Sequence, residues 1–568
     1  MRPFLVTELQ AGKLPRWALL LLCALYIVPG FVGRDPWRQD DAAGFGVALT
    51  MARGDAGNWL MPGIAGEPVF DEGPLPFWVG AAAIRLLPVL SEHSAARGAT
   101  MLGVVLLFVS LWYATYALVK RPGVLPADPF GASASRVDFG RVIADAALLI
   151  LLATLGVIVR LHQTATEAAQ LTITALFVYG AAVALERPTR GGIVAGGAIA
   201  ASVMTGGLLP AAALTLSALA LPWLSRPYRL IGWRWLAPTL AAALLGGLLW
   251  PALLAAQGQA GRDHLAAWLA WNRSQIVSPG AEDLAYYART LPWYFWPAWP
   301  MAAWALLRWR GRAGEPAVAL PLATLAAGAL AAALASKSAA SQLPMIALPL
   351  AMLAAVGLPT LRRTVVSLID WFAVMTYSVI GLVVWAYWIA FVTGFPPRMA
   401  YRASRIAPGF EPTWVAIDLV LGLLATAAWV MLVRWRISRQ PPMIWRAVVL
   451  SSGGLVFAWF LLMTLWLPSF NQRNTYRDVS QQIAAALPAD YACVSSRELG
   501  RAQRASLYYF GGLRFGRPGQ SCDWALQQDT GPAARTAATP EPGWRLQWEG
   551  SRLRDPDERL RLYGRTAR

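Results

Sequence analysis

Two pairs of adjacent carboxylates pose the chemical question in this chain: Asp40-Asp41 and Asp71-Glu72. Both lie in WRQDDAAGFGVALTMARGDAGNWLMPGIAGEPVFDEGPLPFW, from Trp37 to Trp78, which also holds Asp55 and Glu67. Elsewhere acids are scarce: 31 Asp and Glu stand against 49 Lys and Arg, a net charge of +18. A carboxylate within hydrogen-bond reach of a hydroxyl can act as a general base. The competing role is structural, because an acid in the first turn of a helix stabilises it by about 0.3–1 kcal/mol. Asp41, Asp55 and Glu67 read as such caps. For Asp40 and Asp71, spacing alone leaves capping and chemistry both open. A further acid, Glu167, follows His162 in LHQTATEAAQL, and its alternative role is a cap on the helix that begins there.

The elements that hold these residues can be read from pattern. DDAAGFGVALTMARG places Phe45, Ala48, Leu49 and Ala52 at helical spacing. It predicts a short amphipathic helix with Asp40 and Asp41 at its start, lying along a membrane surface. PLPFWVGAAAIRLLPVL predicts a second surface or re-entrant helix, preceded in the same way by Asp71 and Glu72. The connection from 34 to about 96 is long, and long loops are often functional.

The chain has 568 residues, of which 57% are hydrophobic and only 14% charged. A soluble chain carries about 25% charged residues. The class is therefore a polytopic α-helical membrane protein. The positive charge sits in short clusters between apolar runs, as topology signals do, which excludes a nucleic-acid partner. Runs long enough to be spans fall near 17–33, 97–119, 140–160, 168–185, 191–207, 209–225, 233–256, 291–308, 316–335, 341–359, 369–393, 412–434 and 443–467, about thirteen in all. The pair within 191–225, split by MTGGLLPAAAL, is alternatively one broken span. The first run is long and lacks a small-residue cleavage site, so it reads as a retained helix rather than a signal peptide.

Basic residues test the count, since they concentrate on the cytoplasmic side. With the N-terminus inside, alternate loops carry Lys120/Arg121, Arg187/Arg190, Arg226/Arg229, Arg308/Arg310, Arg362/Arg363 and Arg434/Arg436. An odd number of spans then puts the acidic loop and the C-terminal tail on the same, outer side. The expected domains are a membrane domain, 1–469, and a small outer α/β domain, 470–568. In the tail, YRDVSQQIAAALPADYACVSS reads as a helix, a Pro turn and a strand beginning at Tyr491. In an oxidising compartment Cys493 and Cys522 would pair; two free, packed thiols are the alternative.

The stretch from Gln39 to Trp78 resembles the first outer loop of the lipid A aminoarabinose transferase and protein O-mannosyltransferase superfamily. These are membrane glycosyltransferases of the GT-C class that use polyprenyl-phosphate sugars. The resemblance rests on Asp40-Asp41, Met51, Gly57-Asn58-Trp59, Pro62, Gly66, Phe70-Asp71-Glu72-Gly73-Pro74 and Phe77-Trp78. LHQTATEAAQL resembles the second outer loop, with His162 and Glu167 at its His and acid positions. SKSAASQLPMIALPLAML resembles a Ser-Lys-x-Lys-Leu-Pro segment and contains Lys337.

The resemblance implies inverting sugar transfer from a polyprenyl-phosphate donor to an envelope acceptor, with a lipid A-like glycolipid favoured. Protein O-glycosylation and a lipid or sugar flippase are the alternatives. It implies a bacterial inner-membrane, multi-pass, monomeric protein that works at the periplasmic face among membrane lipids. Asp40 matches the base that deprotonates or orients the acceptor. Glu167, Asp41 and His162 are candidates for the acceptor or sugar site. Asp71 matches a metal-contacting acid, which would make a divalent metal the one possible cofactor. Two departures stand out: Ala43 and Glu72 occupy positions where the family carries Arg and Lys, both phosphate contacts. The cations expected to replace them are Lys337, Arg38, Arg273 and Arg398, with Arg402 and Arg405 equally readable as interfacial anchors.

Overall fold

The computed structural model describes residues 14–124, 134–278, 280–335, 343–439, 443–517, 519–538, 540–552, 555 and 557–566. The apolar runs form the helices Arg16–Ile27, Glu92–Val119, Arg136–Ala153, Thr166–Ala184, Pro188–Gly206, Leu208–Leu224, Arg226–Ala255, Ala298–Trp309, Pro316–Leu334, Leu343–Gly357, Arg363–Thr393, Ala416–Arg439 and Met443–Leu465. Among the described residues, eight helices are long and apolar enough to cross a membrane. The expected count of thirteen is therefore larger than the number that meet that standard. Arg16–Ile27 and Ala298–Trp309 have only 12 residues each. At 1.5 Å per residue such a helix is about 18 Å long, short of a hydrocarbon core of about 30 Å. The run near 291–308 is interrupted between Tyr294 and Ala298, where Pro297 supplies no backbone donor.

The 191–225 segment is two helices. Gly207, at φ +84°, separates Pro188–Gly206 from Leu208–Leu224. That conformation is open to glycine and strained for other residues.

The tail forms a four-stranded sheet. In chain order, after the short hairpin β1 (Gly63–Ile64) and β2 (Glu67–Pro68), its strands are β3 (Val494–Arg497), β4 (Trp524–Thr530), β5 (Trp544–Gly550) and β6 (Glu558–Arg565). The order is β3-β4-β6-β5, with β3 and β4 parallel and the other pairs antiparallel. A parallel pair needs a crossover, and the helix Arg501–Phe510 supplies it. With Arg477–Ala486 it packs Ile483 and Leu507 against Val494, Leu526, Leu560 and Leu562. Cys493 and Cys522 are joined by a disulfide, with Cα atoms 5.4 Å apart.

This α/β unit sits directly on the loop 34–96. Ala505 belongs to the loop's own core, with Phe45, Leu49, Met51, Ile64 and Phe77. Three arginines of the unit reach back to the loop. Arg477 pairs with Asp35 at 2.6 Å, Arg504 with Glu67 at 3.0 Å, and Arg501 with Asp71. Arg504 also donates to the carbonyls of Ile64 and Ala65, each at 2.8 Å.

The expected surface helix is real but not superficial. Asp40–Arg53 is buried continuously from Gly44 to Met51. It lies between the helix Leu75–Leu86 on one side and the helix Arg501–Phe510 on another. The apolar spacing read from Phe45, Ala48 and Leu49 is correct, but the face expected to meet water or lipid headgroups is covered by the tail domain. Small residues make this possible. A Cβ on Gly44 would stand 1.9 Å from the Thr164 carbonyl oxygen, and one on Gly46 would stand 2.4 Å from the Ala505 Cβ.

Candidate active site

The helix Asp40–Arg53 begins abruptly. Gln39, at φ +74°, turns the chain into it, and Asp40 and Asp41 occupy its first turn. A non-glycine residue at positive φ is uncommon and is held there by its surroundings. Successive helical residues point about 100° apart, so the two neighbouring acids face different environments.

Asp41 faces inward. Its Oδ2 accepts from Arg34 at 2.8 Å, Arg97 at 2.9 Å and the Trp37 amide at 3.1 Å, while Oδ1 accepts from the Thr164 amide at 2.8 Å. Arg34, Asp41 and Arg97 are all essentially inaccessible. Burial alone would raise the Asp41 pKa, but the two guanidiniums and two amides outweigh it and hold the acid at about 2. Asp41 thus ties together the start of the loop, the helix Glu92–Val119 and the turn before Glu167. It is sequestered from any cavity, which corrects its reading as an acceptor- or sugar-site residue. It is also more than a helix cap.

His162 is a second correction. Its ring is fully buried between Tyr26, Phe31 and Trp459. Nδ1 lies 2.6 Å from the Ile158 carbonyl, and Nε2 lies 3.0 Å from that of Tyr26. Burial lowers its pKa to about 4, so the imidazole is neutral at ordinary pH. It supports the turn and does not reach the cavity.

Asp40 faces outward into a cavity with two lobes. The upper lobe, about 510 Å³, lies between the loop and the tail domain. The lower lobe, about 200 Å³, runs down among the helices and is lined by Thr166, Glu167, Gln170, Leu209, Trp271 and Asn272. Asp40, Asp71 and Glu72 line both lobes and so mark their junction. Arg160, at the end of the short helix Val157–Leu161, bridges Asp40 at 3.2 Å and Glu167 at 3.4 Å. Arg160 thus holds Asp40 and Glu167 together at the junction. Glu72 accepts from the Thr166 hydroxyl at 3.2 Å. Burial, followed by repulsion from Asp71 and Glu167, pushes its pKa well above the usual carboxylate range.

The expected phosphate cations divide. Arg38 lines the upper lobe. Arg273 and Arg398 are exposed and line neither lobe. Lys337 lies outside the described residues. The cations found at the junction instead are Arg160 and Arg501, and Arg501 comes from the tail domain. Only tertiary structure could reveal it, because hundreds of residues separate it from its partner Asp71. Asn272 closes the lower lobe while capping a helix start, accepting from the Leu208 amide at 2.7 Å and donating to the Trp268 carbonyl. His264 packs against Phe70 and Trp250, where burial lowers its pKa to about 4.

Asp71, the expected metal contact, has its carboxylate engaged by Arg501. Among the described residues, no group of three or more His, Cys, Asp or Glu side chains is placed to hold a metal ion. This donor set does not fit a divalent site.

No family model matches the chain, and no curated protein does. Solved structures do. The fold they share with this chain is that of the solved ArnT structures. In particular, the chain superimposes on ArnT from Cupriavidus metallidurans bound to undecaprenyl phosphate. The TM-score is 0.67 at 17% identity, covering 96% of this chain and 98% of that one. The apo state of the same ArnT gives a TM-score of 0.64 at 15% identity, over 96% and 97% of the two chains. With its apolar helices, this fold makes the chain a multi-pass membrane protein.

Proposed function

We propose that this chain is an inverting glycosyltransferase that moves a sugar from a polyprenyl-phosphate donor to an envelope acceptor. The observation that carries the reading is the junction of the two lobes, where Asp40 stands exposed beside Glu167 with Arg160 between them. The lower lobe lies among membrane helices, so a donor with an apolar tail reaches it from the lipid. Its volume suits a single sugar ring, with Trp271 as a flat apolar wall. The similar ArnT structure, bound to undecaprenyl phosphate, supports this donor class.

In the proposed reaction an acceptor hydroxyl attacks the anomeric carbon. Its proton passes to the Asp40 carboxylate as the new carbon–oxygen bond forms. The bond from the anomeric carbon to the phosphate oxygen breaks, and polyprenyl phosphate leaves with the electron pair. Arg160 and Arg501, paired with Asp40 and Asp71 at the junction, replace the positive charges absent at Ala43 and Glu72. Glu167 orients the sugar and, through Arg160, the base. The domain division at 469/470 and the outer, periplasmic location belong to this proposal. Contact between the loop and the tail domain supports their lying on one side of the membrane. Within the proposal the acceptor is a lipid A-like glycolipid or another envelope glycan.

The test uses purified protein in lipid vesicles with a radiolabelled undecaprenyl-phosphate pentose or hexose and an envelope extract as acceptor. Label should move from the chloroform-soluble donor into acceptor while undecaprenyl phosphate accumulates. If no lipid-linked sugar is consumed, the reading fails.

A further inference from the structure

The helices Arg363–Thr393 and Ala416–Arg439 both pack on Met443–Leu465, and a groove of about 800 Å³ opens between them. It shares no lining residue with either lobe of the candidate active site. Both helices are long and apolar enough to cross a membrane. Leu382, Leu423 and Val430 line the groove from exposed positions, so it opens toward lipid.

Aromatic rings build its walls. Trp414, Trp388 and Trp385 follow one another edge to face, with centroids 5.2 and 5.6 Å apart. Trp429 stacks on Phe457 of the third helix, 5.6 Å between centroids. The Trp385 indole donates to the Thr426 hydroxyl at 2.9 Å, and the Trp429 indole donates to the Ser378 hydroxyl at 3.1 Å. Left unpaired in hydrocarbon, these donors would oppose a lipid chain. Spent on the protein, they leave a ligand only apolar surface, and they fix the rings before it arrives, which lowers the ordering cost of binding.

One end of the groove is charged. Arg434 lines it, is exposed, and has no ion-pair partner among the described residues. Its neighbour Arg436 is spent on the fully buried Asp370, at 2.8 Å. Length and charge together select the occupant. From Leu419 to Arg434 the helix rises about 22 Å. One leaflet, headgroup included, is about 20–22 Å thick. The groove thus matches a single extended acyl chain whose head lies at Arg434 and whose end lies near the midplane. The phosphate of that head meets an unspent guanidinium. The ammonium of a zwitterionic head would find no acid left there to receive it.

We propose that this groove is a binding site for an anionic phospholipid, with one acyl chain held between the two helices and the phosphate on Arg434. The site is separate from the catalytic cavity and does not depend on sugar transfer. The bound chain fills the gap between Arg363–Thr393 and Ala416–Arg439 and ties both to Met443–Leu465.

The test is native mass spectrometry of the full chain in mild detergent, titrated with phosphatidylglycerol and phosphatidylethanolamine of matched acyl chains. The unaltered chain should bind phosphatidylglycerol about fivefold more tightly, the worth of one arginine beside an anionic headgroup. Arg434→Gln should bring the two lipids within about twofold. Arg363→Gln removes an exposed cation at the same end but outside the groove, and should leave the preference unchanged. Leu423→Trp fills the groove from an exposed position and should weaken both phospholipids about tenfold, as expected for losing the burial of two methylenes. Undecaprenyl phosphate affinity should stay within about twofold in every variant, which also shows that each is folded. The proposal is overturned if the unaltered chain binds the two phospholipids equally, if the preference survives Arg434→Gln, or if Arg363→Gln abolishes it. It is equally overturned if Leu423→Trp leaves phosphatidylglycerol affinity unchanged, or weakens undecaprenyl phosphate as much, since the groove would then belong to the polyprenyl lipid.

Discussion

Replacing Asp41 by Asn tests whether the twin acids divide their labour. The substitution keeps the shape and removes the charge. Four donors now converge on this carboxylate: Arg34, Arg97, and the amides of Trp37 and Thr164. An Asn oxygen can serve some of them, but its NH2 group would face the remainder, and two buried guanidiniums would lose the counter-charge they share. Removing one partner of a buried pair costs about 3–5 kcal/mol. The shift in acidity gives an independent lower figure. A fall from 3.8 to about 2 corresponds to about 2 kcal/mol of native-state stabilisation. Because the folded-state pKa is depressed, this stability is present above pH ~4 and is lost as pH falls toward ~2. The assay is thermal unfolding of the detergent-solubilised chain from pH 7 to 2.5. Asp41→Asn should lower the Tm by several degrees at pH 7, and the acid-dependent decrement between pH 4 and 2.5 should shrink. Adding Arg97→Met should recover part of the loss, because the orphaned cation is then removed. An unchanged Tm at pH 7, or an identical acid profile in the variant, would refute the reasoning.

Two further substitutions probe the junction. Gly44→Ala places a methyl group against the Thr164 carbonyl at 1.9 Å, so the loop helix must shift away from the segment carrying Arg160 and Glu167. Transfer should fall at least tenfold in kcat with a smaller change in donor affinity, read from initial rates and a binding isotherm. Glu72→Gln should be tolerated within about threefold in rate at pH 7, since burial and neighbouring acids already favour the neutral carboxyl. The sign is opposite to that of Asp41: a raised folded-state pKa means that Glu72 costs stability as pH rises through it. The Gln variant should therefore lose less Tm than the unaltered chain between pH 5 and 8.

Much of the layout was legible in the sequence because hydropathy and helical period are local properties. The apolar runs became helices, and the amphipathic stretch at Arg477–Ala486 and the strand after Tyr491 lie close to where the pattern put them. Local pattern could not show that the tail domain roofs the loop. The helix Asp40–Arg53 therefore read as superficial when it is enclosed. The same gap hid Arg501, whose partner Asp71 is remote in sequence. The bridging role of Arg160 depends on the fold bringing Asp40 beside Glu167. His162 shares a short segment with Glu167 in sequence, but its ring points into the apolar core. The absent positive charges at Ala43 and Glu72 were plain from sequence, whereas the proposed replacements, Arg160 and Arg501, were not.

The central claim is that Asp40 takes the acceptor proton. Its most direct test is a single-turnover experiment with donor prebound and acceptor added, comparing the unaltered chain with Asp40→Asn and with Asp41→Asn as the neighbouring control. The account predicts that Asp40→Asn retains undecaprenyl-phosphate binding and Tm but transfers sugar at least a hundredfold more slowly, within the range of general-base contributions of about 10²–10⁴. Asp41→Asn should lose Tm and retain whatever transfer its folded fraction supports. Transfer by Asp40→Asn at the rate of the unaltered chain would contradict the account.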